Sequence, residues 1–167
     1  MKTKIIIMLA MVFALGNTQQ VAAQMTPHEQ ETAKTEITKV VNRIFQSLES
    51  MDVESLFQPY SDSLKFNLFT TDGSMVNLQM AKYGHAEWFK SFSSMKITTT
   101  KEEFRFLPGN IVICSWQGKF NMTLKDGKQL KIDKFGVTFI FEKIDNNWKV
   151  IYQHSSALPP VQEIPKN

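Results

Sequence analysis

Four β-rich runs, at residues 96–107, 111–124, 129–144 and 147–156, follow one another with only three short polar breaks between them. The breaks are Pro108-Gly109-Asn110, Lys125-Asp126-Gly127-Lys128 and Asp145-Asn146, residue types that turn a chain sharply. Connections this short cannot cross over a sheet, so sequence neighbours must pair antiparallel as hairpins. Two of the runs exceed ordinary strand length. That predicts a strongly curved sheet with bulges, and Gly118 and Gly136 are the expected places for them.

The chain before this meander is helical. Thr26-Pro27-His28-Glu29 combines a capping hydroxyl, a proline suited to the first helical position and a glutamate that completes a capping box. Behind it Ile37, Val40, Val41, Ile44, Leu48 and Met51 recur at helical spacing, predicting an amphipathic helix over residues 27–50. Asp52 is placed to cap a second, short helix through Phe57, which Pro59 ends. Residues 64–70 read as a strand closed by the turn Thr71-Asp72-Gly73-Ser74. Residues 79–93 read as a less regular helix, with Gly84 moving its start toward His85. Helices first and a meander afterwards give an α+β class.

Residues 1–23 have the pattern of a secretory signal peptide: Lys2 and Lys4, an apolar run from Ile5 to Leu15, and Val21-Ala22-Ala23 before Gln24. The run is short for a membrane span, so export to the periplasm or medium is expected, with no membrane attachment after cleavage. The competing reading is a retained anchor. The domain is expected over residues 24–160, and the tail from residue 161 to 167 is expected to lie over the surface or fray. Two of the 19 basic residues and none of the 16 acids fall in the leader, so the net charge of +3 drops to +1 without it. No basic block remains, so nucleic acid is not an expected partner. Cys114 is the only cysteine, which excludes an intrachain disulfide and a thiolate zinc site. Histidines at 28, 85 and 154 lack metal-ligand spacing, so neither a metal nor another cofactor is expected.

Three passages carry a resemblance. Tyr83-Gly84-His85-Ala86-Glu87-Trp88-Phe89 resembles a glycine-led third helix, and Gly109-Asn110-Ile111-Val112-Ile113 a hairpin entering a long strand. Asn147-Trp148-Lys149-Val150-Ile151, continuing through His154-Ser155-Ser156 to Leu158-Pro159, resembles a closing strand. Their order resembles the nuclear transport factor 2-like superfamily, in its SnoaL-like branch, over residues 30–160. The resemblance implies a cone in which a curved sheet wraps the long N-terminal helix, a cavity inside it, and a homodimer. It also implies that members span isomerases, cyclases, dehydratases and non-catalytic modules, so the fold does not fix the function. Where the branch often has a second histidine, this chain has Tyr152, which weighs against a two-histidine arrangement.

Strict alternation along the last run puts Trp148, Val150, Tyr152, His154 and Ser156 on one face. On that expectation Tyr152 and His154 line the cone, His154 as acid or base and Tyr152 as donor. The plainer reading of His154 is a histidine bonded to backbone at the rim of the core. Tyr60, Phe66, Trp88, Trp116 and Phe139 join them as candidate walls of a ligand cavity, although each also serves as ordinary core. His28 and His85 read as solvated helix residues. Glu102 and Glu103 should point to opposite faces, while Asp72 and Asp126 shape turns; no buried base with its donors assembles from these carboxylates. Ser155-Ser156 lacks a nucleophile elbow, and Asn121-Met122-Thr123 is a sequon only in form, inside a strand.

The expected function is binding of a small, mostly apolar ligand in the cone. The rivals are a cofactor-independent isomerase, hydrolyase or cyclase using His154, and a non-catalytic dimeric assembly module. For the dimer the expected surface is an outer sheet face bearing Ile111, Ile113, Leu130, Ile132 and Ile140.

Overall fold

The computed structural model describes residues 24–63 and 66–163, so the leader lies outside the described residues. Helix α1 (Pro27–Glu49) starts with the reciprocal cap expected. The Glu29 amide donates to Thr26 Oγ1 at 3.3 Å, and the Thr26 amide to Glu29 Oε2 at 2.7 Å. Its stripe of Ala33, Ile37, Val41, Ile44 and Phe45 is buried. Asp52 caps α2 (Val53–Phe57) by accepting from the Ser55 amide at 3.1 Å. Strands β1 (Asn67–Phe69) and β2 (Met75–Val76) form a small hairpin, with Gly73 at φ +85° in its turn.

Helix α3 (Leu78–Phe89) begins earlier than expected because Asn77 caps it, accepting from the Met80 amide at 2.9 Å. Gly84 is therefore interior to the helix. Phe92, expected in the helix, instead opens β3 (Phe92–Leu107), where it is buried. The other long strands are β4 (Ile111–Leu124), β5 (Gln129–Ile144) and β6 (Asn147–Ala157). The sheet order is β2-β1-β6-β5-β4-β3. The β3-to-β6 pairs are antiparallel, while β1 joins β6 in parallel. At the tail, β7 (Val161–Glu163) pairs with the start of β5, so these three residues are held by ladder bonds.

The curved sheet wraps α1, giving the α+β cone. Phe45 stacks on Trp116 at 4.0 Å and meets the Phe139 ring edge-on at 6.4 Å. Two carboxylates hold α1 on the sheet. Glu36 accepts from Trp148 Nε1 at 2.8 Å and from Lys143 Nζ at 3.2 Å. The Trp148 bond, ahead of Lys143, holds the Glu36 carboxyl below its usual range. Near the helix C-terminus, Glu49 accepts from the Ile97 amide at 2.7 Å.

Bulges decide which side chains face inward, and two of them overturn expectations. The register shifts between Gly118 and Phe120, where Phe120 pairs with Ile132 and Gly118 with Phe135. This break turns Leu130 and Ile132 toward the core, against which both pack, so they leave the expected outer patch. Ile111, Ile113 and Ile140 stay half-buried on the outer face. Gly136, by contrast, keeps a regular register opposite Gln117 and Ser156. The second decisive break lies in β6, where Ile140 pairs with Tyr152 and Phe141 with Val150, leaving Ile151 as the extra residue.

Candidate functional site

The extra residue at Ile151 flips the rest of the closing strand. Trp148 and Val150 point inward and are buried, but beyond the bulge the inward positions are Gln153 and Ser155. Tyr152 and His154 therefore do not line the cone. His154 is exposed on the outer face opposite Thr138, and Tyr152 is half-buried there opposite Ile140. Both rings flank Phe69, at 6.0 Å for Tyr152 and 5.8 Å for His154. The expected shared face of residues 148–156 is corrected on this point, and with it the inward position of His154 as acid or base.

What faces inward is a chain of polar side chains. Tyr60 Oη donates to Gln153 Oε1 at 2.5 Å, and Gln153 Nε2 donates to Ser155 Oγ at 2.9 Å. The segment before β1 brings Tyr60 there: the Ser61 amide donates to the Val150 carbonyl at 2.9 Å, and the Val150 amide to the Pro59 carbonyl at 3.0 Å. Burial alone pushes the Tyr60 phenol well above its ordinary range, so at neutral pH it is a hydrogen-bond donor and not a phenolate. Phe57 at 5.0 Å and Phe66 at 5.6 Å enclose its ring. Phe139 lies on β5 directly across from Gln153.

His85 belongs to the same end of the cone and is not a solvated helix residue. It is half-buried, edge-on to Phe57 at 5.1 Å and near Phe89 and Trp88 at 6.0 and 6.1 Å. Its Nδ1 lies 2.9 Å from the Ala81 carbonyl oxygen, which can only accept. The neutral ring therefore carries its proton on Nδ1 and leaves the Nε2 lone pair free of a proton. Burial lowers the His85 pKa, and the Ala81 bond opposes that only in part.

Of the seven residues singled out in the sequence, the fold joins Tyr60 and Phe66 at the polar chain, with Phe139 across from Gln153. Trp116 is deep core under α1, its Nε1 donating to Thr99 Oγ1 at 3.0 Å. Trp88 sits at the rim, packed on Phe92 at 4.8 Å. Gln153, Ser155, Phe57 and His85 were missed. No local pattern marks the extra residue behind the first two: Ile111-Val112-Ile113-Cys114 is a longer apolar run in regular register, so the Ile151 bulge is set by pairing with β5. Among the described residues no group of three or more His, Cys, Asp and Glu side chains could hold a metal ion, and no helix is long and apolar enough to cross a membrane.

The family model for the SnoaL-like domain matches residues 37–161. The chain belongs to the SnoaL-like domain family. No curated protein matches it by sequence. Solved structures share its fold at low identity. One is a nuclear transport factor 2-like superfamily protein from Salmonella enterica serovar Typhimurium, 20% identical with a TM-score of 0.68, covering 77% of this chain and 92% of that one. Another is a type 2 hexachlorocyclohexane dehydrochlorinase, 10% identical, TM-score 0.72, covering 83% and 94%. A third is a scytalone dehydratase assignment from Novosphingobium aromaticivorans, 8% identical, TM-score 0.72, covering 82% and 91%. At these identities the likeness establishes the SnoaL-like cone and leaves the chemistry to the residues.

Proposed function

We propose that this SnoaL-like protein is exported and binds a small, mostly apolar ligand at the mouth of its cone. The observation that carries the reading is the Tyr60–Gln153–Ser155 chain, three polar side chains bonded in series and set against Phe57 and Phe66. Aromatic walls with a few convergent polar groups are the usual make-up of a small-molecule site. The working form is a homodimer joined through the outer sheet face, where Ile111, Ile113, Ile140 and Tyr152 are half-buried and form a shared apolar area.

Fluorescence titration with 2-naphthol, an apolar ring with one hydroxyl, tests the binding. Saturable binding that weakens in Tyr60→Phe and in Gln153→Leu is expected; its absence removes the reading. Sedimentation at micromolar concentration should give a dimer, and a monomer alone would remove that part. Detection of a chain beginning near Gln24 outside the cytoplasm tests export.

A second reading rests on His85. A neutral imidazole with its Nε2 lone pair available among aromatic rings suits a general base, and solved structures of the same fold bear dehydrochlorinase and dehydratase names. In this reading the protein is a cofactor-independent isomerase, hydrolyase or cyclase with His85, in place of His154, as the base. Its signature is turnover abolished by His85→Gln and retained by His154→Gln.

A further inference from the structure

Val21-Ala22-Ala23 supplies the small residues that precede a leader's cut, and a cut after Ala23 makes Gln24 the first residue. The packed fold begins one residue later. Met25 is only 8% exposed and belongs to the core, and its carbonyl accepts from Gln30 Nε2 at 3.0 Å. Thr26 follows as the cap of α1, tied to Glu29 in both directions. Gln24 itself is exposed, and its side chain makes no hydrogen bond among the described residues. Cleavage after Ala23 therefore leaves one free residue ahead of an anchored one. A cut further along would strip Met25 out of the core.

An amino-terminal glutamine has a reaction of its own. Its α-amine nitrogen bonds to the side-chain Cδ, the Cδ–Nε2 bond breaks, and Nε2 leaves as ammonia with a proton from the amine. The product is a lactam, pyroglutamate, and nothing is oxidised or reduced. An α-amine has an ordinary pKa of about 7.7–8.0, so a usable fraction is neutral and nucleophilic near pH 7. Exposure and the lack of a bonding partner leave the Gln24 side chain free to meet that amine. In the uncut chain the same nitrogen is the amide of the Ala23–Gln24 bond and cannot react. We propose that the mature chain starts with pyroglutamate at position 24, an inference that rests on export with cleavage after Ala23. Aminopeptidases need a free amine, so the lactam closes the chain to them. It thereby guards Met25 and the Thr26 cap at a terminus, where proteolysis concentrates.

The test uses the full chain, expressed with its leader in its own host and collected from outside the cytoplasm. Reductive methylation before digestion labels every free amine and stops a free Gln24 from cyclising later. Trypsin, then restricted to arginine, releases the peptide from Gln24 to Arg43 for mass spectrometry. That peptide should be unlabelled at its first residue and lighter than the glutamine form by one ammonia. Gln24→Ala cannot form the lactam, and its exposed position leaves the fold intact. This variant should carry the label at its first residue and lose that residue to an added aminopeptidase that spares the native protein. A chain that begins at Gln24 and carries the label would overturn the inference and leave export standing. A chain that begins at Met1, or none outside the cytoplasm, would overturn both. A first residue other than 24 would overturn the inference through the cut site. Equal trimming of the native protein and Gln24→Ala would remove the protective role.

Discussion

Beneath α1 the cone is packed with apolar side chains, whereas at its mouth a chain of polar bonds is set among tilted rings. In the first region Ile37, Val41, Val112, Cys114, Phe139 and Phe141 are fully or almost fully buried, and Phe45 lies flat on Trp116. In the second, α3 leaves Met80 57% and Tyr83 70% exposed, and an internal polar chain stands where apolar packing would be simpler. Retaining buried polar groups in the second carries a desolvation cost, which their mutual hydrogen bonds offset.

Two glycines give the largest test of this contrast. A Cβ on Gly118 would lie 2.1 Å from Trp116 Cη2 and 2.6 Å from the Thr98 carbonyl oxygen, because the indole lies across the position. The carbonyl cannot swing aside as a side chain can. Gly118→Ala should therefore destabilise the protein by about 3 kcal/mol, the upper range for overpacking, as measured by urea unfolding. A cost below about 1 kcal/mol would mean that the region under α1 yields more readily than its packing implies.

Next in size is Tyr60→Phe. The ring contacts with Phe57 and Phe66 survive, but Gln153 Oε1 loses its donor. Unfolding should become easier by about 1–2 kcal/mol, the cost of an unsatisfied buried acceptor. A neutral result would mean that water reaches the chain and satisfies Gln153 Oε1 in place of Tyr60.

Gly84→Ala goes the other way. No atom lies within 4 Å of a Cβ built on Gly84, inside α3. The substitution should stabilise by up to about 1 kcal/mol from helix propensity alone. Opposite signs for the same Gly→Ala change, one under α1 and one at the mouth, are the sharpest form of the comparison.

The same divide explains what could be read in the sequence. Periodicity carries the region under α1: the stripe from Ile37 to Ile44, the capping box at Thr26 and the turns at Gly109 and Gly127 all depend on neighbours in sequence, and they fold as expected. The mouth depends on registers between strands. One extra residue at Ile151 exchanges Tyr152 and His154 for Gln153 and Ser155, and alternation applied without that residue picks the wrong side chains. The break near Gly118 does the same to Leu130 and Ile132. Resemblance supplied the cone, but each inward face had to be counted through its bulges. Tyr60 meets Gln153 across 93 positions, a pairing that no local pattern encodes.

The smallest effect is a pH dependence centred on His85. Burial makes the folded state hold this imidazole neutral to a lower pH than the unfolded chain does. Below the ordinary histidine value near 6.5 the unfolded state therefore binds the proton more readily, so stability is present above that pH and is lost as pH falls. The carboxylates held low by hydrogen bonds, Glu36 and Asp52 among them, act in the same direction but only in the acidic range below their ordinary values. Glu102 acts oppositely: its raised pKa favours the fold at low pH, and that advantage fades as it ionises. Between about pH 7.5 and 5.5 His85 should thus account for a decline of under about 1.4 kcal/mol per pH unit, the limit for one proton. Urea unfolding at intervals across that range should give the slope for the native protein and a flatter line for His85→Gln. If His154→Gln flattened the slope instead, the exposed histidine would be the one coupled to the fold, and the contrast between the mouth of the cone and its outer face would have to be redrawn.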